Sequence, residues 1–207
     1  SSNQRDAITQ ALDRGLNEGL NPRDTAREIR NTIGLTAKQE KAVENFRQNL
    51  REGNIREVFG RETRDKRFDR TLARVANGET ELTDEQIERM TQRFRERAIK
   101  RRSETIARTE SLRALSEAKQ ASLQQLVDDG EVDEQQIRRE WVTANDERVR
   151  GEHRQIPGLN PNGVGLNEPF ETPLGPLMIP RDPNGLPENT IQCRCTTVEE
   201  IVDFEDL

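Results

Sequence analysis

Between Thr83 and Gly130 the chain contains neither glycine nor proline. A stretch this long without either helix-interrupting residue predicts one helix over 84 to about 127. Thr83 with Gln86 opens it as a capping box, and Leu82 with Ile87 occupies the positions of a hydrophobic staple. At 1.5 Å per residue the helix, straight or bent, spans roughly 65 Å. That exceeds what an ordinary small domain needs, so the helix reads as a spacer or packing spine.

Upstream, residues 1–82 read as a helical arm. Asn21, Pro22 and Asp24 give an N-cap, a first-turn proline and an acid at the positive helix end, with Gly34 as a left-handed stop. Thr36 with Gln39 restarts a helix that carries Val43, Phe46 and Leu50 at helical spacing, so a helical hairpin is expected. Residues 52–80 read as one or two short helices anchored by Val58, Phe59, Phe68, Leu72 and Val75.

Downstream, Val132, Asp133, Gln136 and Ile137 repeat the staple and capping pattern and predict a short helix. Past Trp141 glycine and proline become frequent. The short apolar runs PLMIP and TIQCRCTTVEEI predict strands between loops. The expected fold class is α+β: a mainly helical arm over 1–82, a connecting helix over 83–127, and a small module over 128–207 with a few short antiparallel strands.

Only 30% of the residues are hydrophobic and 35% are charged, with a net charge of -6. Such a chain builds a thin core, an elongated shape or surfaces ordered by partners. No apolar run approaches the roughly 18 residues of a membrane span, and SSNQRDAITQ has no signal core, so a soluble chain without a membrane partner is expected. It opens on Ser rather than Met, so residue 1 is expected to be an internal or processed position of a longer protein. The acidic pieces at 128–134 and 199–206 read as solvated ends, or as surfaces that dock a basic partner.

The one Trp, the one His and both Cys fall in the last third of the chain. Two Cys at a spacing of two are poor disulfide partners, since extended chain separates their Cα atoms by about 6.6 to 6.8 Å. Free thiols are expected, which suits a reducing compartment. On an extended strand Cys193 and Cys195 point to one face, and with His153 they make a Cys2His set for which zinc is the first candidate.

A closed structural zinc site takes four such ligands, so a carboxylate, a water or a neighbouring subunit has to complete it. Asp146 is the obvious carboxylate. In a continuous helix over 144–153, however, it lies roughly 10 Å from His153, and it reads better as the N3 acid of a cap made by Thr143, paired with Arg150. The residues therefore have two readings: a hydrogen-bonded structural cluster of His153, Cys193, Cys195 and Arg150, taken first, and a metal site. Trp141 is the expected apolar anchor of the small module.

Catalysis is the sharper alternative, as a Cys-His nucleophile or as a metal-dependent hydrolase with Glu152 as base. A second thiol two residues away and the lack of a Gly-rich oxyanion loop beside Cys193 argue against a nucleophile. No catalytic residue and no cofactor other than zinc is assigned.

Residues 89–113 carry nine basic side chains against three acidic ones. Arg93, Arg97, Lys100, Arg101 and Arg102 could meet DNA phosphates, an acidic protein surface or solvent. With only Phe94 interleaved, base stacking is not expected.

The ordered series Ile106, Ala107, Arg108, Thr109 and Glu110, then Trp141 to Thr143, Asp146, Arg148, Val149, Arg150 and His153, then Phe170, Pro173, Gly175, Pro180, Asp182, Pro183 and Gly185, and finally Ile191, Cys193, Arg194 and Cys195, resembles the phage Mu F-like head-morphogenesis family. The resemblance covers about 103–201, and the leading helical segment looks like the region upstream of that domain in longer members. It implies a minor head protein of a tailed bacteriophage, bound inside the capsid at the portal vertex. Portal protein, sister copies and packaged double-stranded DNA are the implied partners, and the host cytoplasm is its place during assembly.

Overall fold

The computed structural model describes residues 2–202, with side chains from Gln4 onward. Residues 203–206 of the acidic end lie outside the described residues. The chain forms two compact units that divide between Ala107 and Arg108. This division falls inside the long helix. Its first part packs in one unit and its last part in the other.

In the first unit, α1 (Ser2–Asn17), α2 (Pro22–Arg30), α3 (Ala37–Arg51), α4 (Ile55–Phe59), a 3-10 turn at Lys66–Phe68 and α5 (Asp69–Ala76) precede α6 (Asp84–Asp128). The caps form as their sequences require. The Asn21 side chain accepts from the Arg23 N–H at 2.9 Å. Thr36 with Gln39 and Thr83 with Gln86 make reciprocal bonds of 3.0 and 3.3 Å. Gly34 is not left-handed: α2 ends on Asn31 in a right-handed turn, and the Ile33 N–H still reaches the Ile29 carbonyl. Gly130, at φ +70°, does follow the end of α6 in the left-handed region.

Among the described residues of this unit apolar side chains are few, and they collect into two small clusters. One joins Val43, Phe46 and Leu50 of α3 to Ile55, Val58, Leu72, Ile87, Met90 and Phe94. Phe46 and Phe94 stack there with centroids 4.2 Å apart. The other joins Ala11, Ala26, Ile29, Ile33 and Ala107.

In the second unit the expected short helix after Asp133 is absent. Asp133 and Gln136 do form a capping box, but it heads a 3-10 turn, Glu134–Gln136, that runs straight into β1 (Ile137–Val142). The alternation decides this, since Ile137, Arg139 and Trp141 are buried in turn on one side of the strand. After β1 come α7 (Gly151–Leu159), the short α8 (Pro187–Thr190) and β2 (Thr196–Ile201). β1 and β2 pair antiparallel from Ile137 with Ile201 to Val142 with Thr196. Of the expected PLMIP strand, only an isolated bridge between Leu177 and Phe170 forms.

Arg139 holds this unit together. Its side chain is 1% exposed, yet it makes no ion pair among the described residues. It donates to the carbonyls of Gly165 at 2.9 and 3.0 Å, Met178 at 2.7 Å and Glu168, and to Gln120 Oε1 on α6 at 3.0 Å. Its backbone N–H and carbonyl exchange bonds with Val164, and its guanidinium lies 5.1 Å from the Phe170 ring centre. Gly163 turns at φ +67° so close to this backbone that a Cβ there would sit 2.9 Å from the Arg139 carbonyl oxygen.

These carbonyls belong to the main chain and cannot be replaced along with their donor. Arg139→Met therefore leaves several buried acceptors unpaired, at roughly 1–3 kcal/mol each. We expect a loss of about 3–5 kcal/mol in denaturant unfolding of the full chain, with Arg139→Lys recovering less than half. A change below about 1 kcal/mol in Arg139→Met would exclude this role.

Candidate functional site

The side chains of His153, Cys193 and Cys195 meet inside the second unit. Each is at most 3% exposed, and both cysteines are free thiols. His153 Nδ1 lies 3.4 Å from Cys195 Sγ and 3.6 Å from Cys193 Sγ. The three potential ligand atoms all fall within 4.8 Å of one another. Trp141 meets the His153 ring edge-on at 6.1 Å and Phe170 at 5.2 Å, which closes the apolar side of the cluster. His153 Nε2 is buried without a hydrogen-bond partner among the described residues.

The two cysteines do not sit on a strand, because β2 begins only at Thr196. Their segment is fixed from outside instead. Gln192, at φ +59°, turns the chain, and its N–H donates to Thr109 Oγ1 on α6 at 3.2 Å. The Cys193 N–H donates to the Thr190 carbonyl. Behind the thiols, the buried Arg181 guanidinium donates to the carbonyls of Cys193 at 3.1 Å and Cys195 at 2.7 Å, and to Ser116 Oγ at 2.7 Å.

The thiols act as a pair. A hydrogen bond from Cys195 lowers Cys193 well below an ordinary thiol, with further help from His153, while burial pulls the other way. The same bond, together with burial, pushes Cys195 upward. The two thiols are thus shifted in opposite directions, Cys193 downward and Cys195 upward.

Asp146 does not join this cluster, nor does it form the expected cap. Residues 143–150 form no helix, α7 starts at Gly151, and Thr143 Oγ1 accepts only from the Asn145 N–H at 3.3 Å. Asp146 accepts from the Arg148 N–H at 2.9 Å and forms a two-pronged ion pair with Arg194, one arm measuring 2.6 Å. Arg150, its expected partner, donates to the Ile191 carbonyl instead. Arg194, sitting between the cysteines in sequence, is the partner that helix spacing could not suggest. A pocket of about 240 Å³ lies against the cluster, lined by Arg108, Arg148, Arg150 and Arg194 together with His153 and both cysteines.

The α6 residues Arg93, Arg95, Arg97, Lys100, Arg101 and Arg102 lie in the first unit, and most of them face acids there. Arg93 pairs with Glu96, Arg95 with Glu40, Arg101 with Glu62, and Lys100 with Glu104 at 3.8 Å. Arg97 donates to the Thr63 carbonyl at 2.9 Å. Arg102 is half-buried and makes no ion pair among the described residues.

Two residues central to this geometry have no role in the sequence reading: Arg139 and Arg181. For Arg139 the available signal was its place between Ile137 and Trp141 in period-two alternation. Arg181 has no comparable local signature. Among the described residues no helix is long and apolar enough to cross a membrane. The profile of a family described as Phage Mu protein F like protein matches residues 6–198, and comparison with curated proteins and with solved structures finds no match.

The ion pair with Arg194 lowers the Asp146 carboxyl from 3.8 to about 2. A carboxyl depressed in the folded state contributes stability above its unfolded value and loses it as pH falls through its folded value. Asp146→Asn is therefore expected to melt below the unsubstituted chain near pH 6, with the gap closing as pH falls from about 4 toward 2. A gap unchanged over that range in thermal unfolding would rule out the charged pair as its cause.

Proposed function

The chain belongs to the Phage Mu protein F like family, and from that membership we propose that it is a nonenzymatic head protein of a tailed bacteriophage. We place it at the portal vertex inside the capsid, acting in head morphogenesis and in orderly packaging or ejection of DNA. The single observation that carries this reading is the extent of the family match, which runs from residue 6 to residue 198 and so includes both compact units.

The side-chain economy agrees with a binding role. Trp141 and both cysteines are buried in one cluster with His153 against them, and the buried arginines of the second unit are engaged by main-chain carbonyls. Two units on one chain bind a symmetric ring with an effective concentration that sums weak contacts into stable occupancy. Portal protein and sister copies are the partners we assign.

Contact with packaged DNA is the second reading, and the ion pairs of α6 weigh against it. Glu40, Glu62 and Glu96 already neutralise arginines that would otherwise meet phosphates. DNA retention is thus expected to be weak and to vanish at moderate salt. In a pull-down with the portal protein of the same phage, recovery is expected at low and at moderate salt. Recovery of nothing under both conditions would contradict the portal assignment.

A further inference from the structure

We propose that His153, Cys193 and Cys195 form a three-ligand zinc centre whose fourth coordination position opens onto the arginine-lined pocket. This inference does not depend on the portal assignment, because it rests on the geometry of three side chains.

Zinc binds thiolate at about 2.3 Å and imidazole nitrogen at about 2.0–2.1 Å in a tetrahedron, which sets the sulfur-to-nitrogen edge at about 3.5 Å. The two edges here are 3.4 and 3.6 Å, and both end on the same ring nitrogen. A single hydrogen bond from an imidazole needs only one sulfur at that range. Two sulfurs placed equally about Nδ1 leave room between the three atoms for one ion. Two thiolates and an imidazole are also the donor set that selects zinc over harder cations.

The protein fixes these donors before any ion arrives. Arg181 holds the carbonyls of both cysteines, Thr109 holds the turn before them, and α7 carries the imidazole with Trp141 against its edge. Supports of this kind orient ligands and raise affinity. The ion would tie α7 to a segment 40 residues further along the chain and so close the intervening loop.

Among the described residues no fourth His, Cys, Asp or Glu joins the group. Asp146 is taken up by Arg194. The remaining position therefore faces the pocket of about 240 Å³, where Arg108, Arg148, Arg150 and Arg194 favour a water or a small oxyanion as the fourth ligand.

The test uses the full chain, reduced and prepared without chelator. Elemental analysis after dialysis against zinc is expected to find about one equivalent. Cobalt(II) is expected to give thiolate-to-metal charge transfer and the intense visible bands of a tetrahedral site. Cys193→Ser and His153→Gln should lose these bands, with unchanged far-UV circular dichroism showing that the fold survives. Azide or inorganic phosphate should shift the cobalt bands of the unsubstituted protein. Less than about a tenth of an equivalent of zinc together with no cobalt bands would overturn the centre. Because that result comes from the unsubstituted chain, misfolding of a variant cannot cause it. Cobalt bands indifferent to both anions would overturn the open position.

Discussion

A guanidinium buried without a carboxylate partner organises the C-terminal unit. The segment from Gly163 to Arg181 has almost no regular structure, so its main-chain carbonyls find few partners in a ladder or helix. Arg139 supplies the missing donors for Gly165, Glu168 and Met178, and its bond to Gln120 ties them to α6. Because Arg139 lies on β1, the same contacts set which face of that strand is buried. Trp141, two residues on, is thereby delivered against His153 and Phe170. Arg181 repeats the device, and its two carbonyl partners belong to the cysteines themselves.

The first unit solves a different problem, that of folding with few apolar side chains. It builds two small clusters instead of one large core. Charged side chains cover the rest of its surface in pairs such as Arg95 with Glu40 and Arg101 with Glu62. Exposed pairs of this kind contribute roughly 0–1 kcal/mol each. Their larger consequence is electrostatic, for they turn what reads in sequence as a basic stripe into a mixed surface.

What was legible in the sequence was local. Thr36 with Gln39, Thr83 with Gln86 and Gly130 act within a few residues of themselves, and each marks its helix boundary as read. Asp133 with Gln136 shows the limit of that logic, because the same capping box can head a single 3-10 turn. The following strand was decided by burial, and an arginine in a buried position disguised its alternation. Asp146 was paired with Arg150 by helix spacing, but no helix forms there and its partner, Arg194, lies 48 residues away. The meeting of His153 with the cysteines could be anticipated from residue type alone. Of its supports, Trp141 is marked by being the one Trp of the chain, whereas Thr109 and Arg181 come from distant parts of the chain and leave no spacing to read.

The rare residues of this chain thus mark a built interior, while family membership points to work done in a phage head. The most direct measurement is a cryo-electron microscopy map of the portal vertex in intact heads, computed without imposed icosahedral symmetry. A head protein seated there gives density on the inner face of the portal into which the helical unit and the His153, Cys193 and Cys195 unit can each be fitted. A well-resolved vertex with neither unit inside the capsid, from particles whose proteins include this chain, would contradict the assignment.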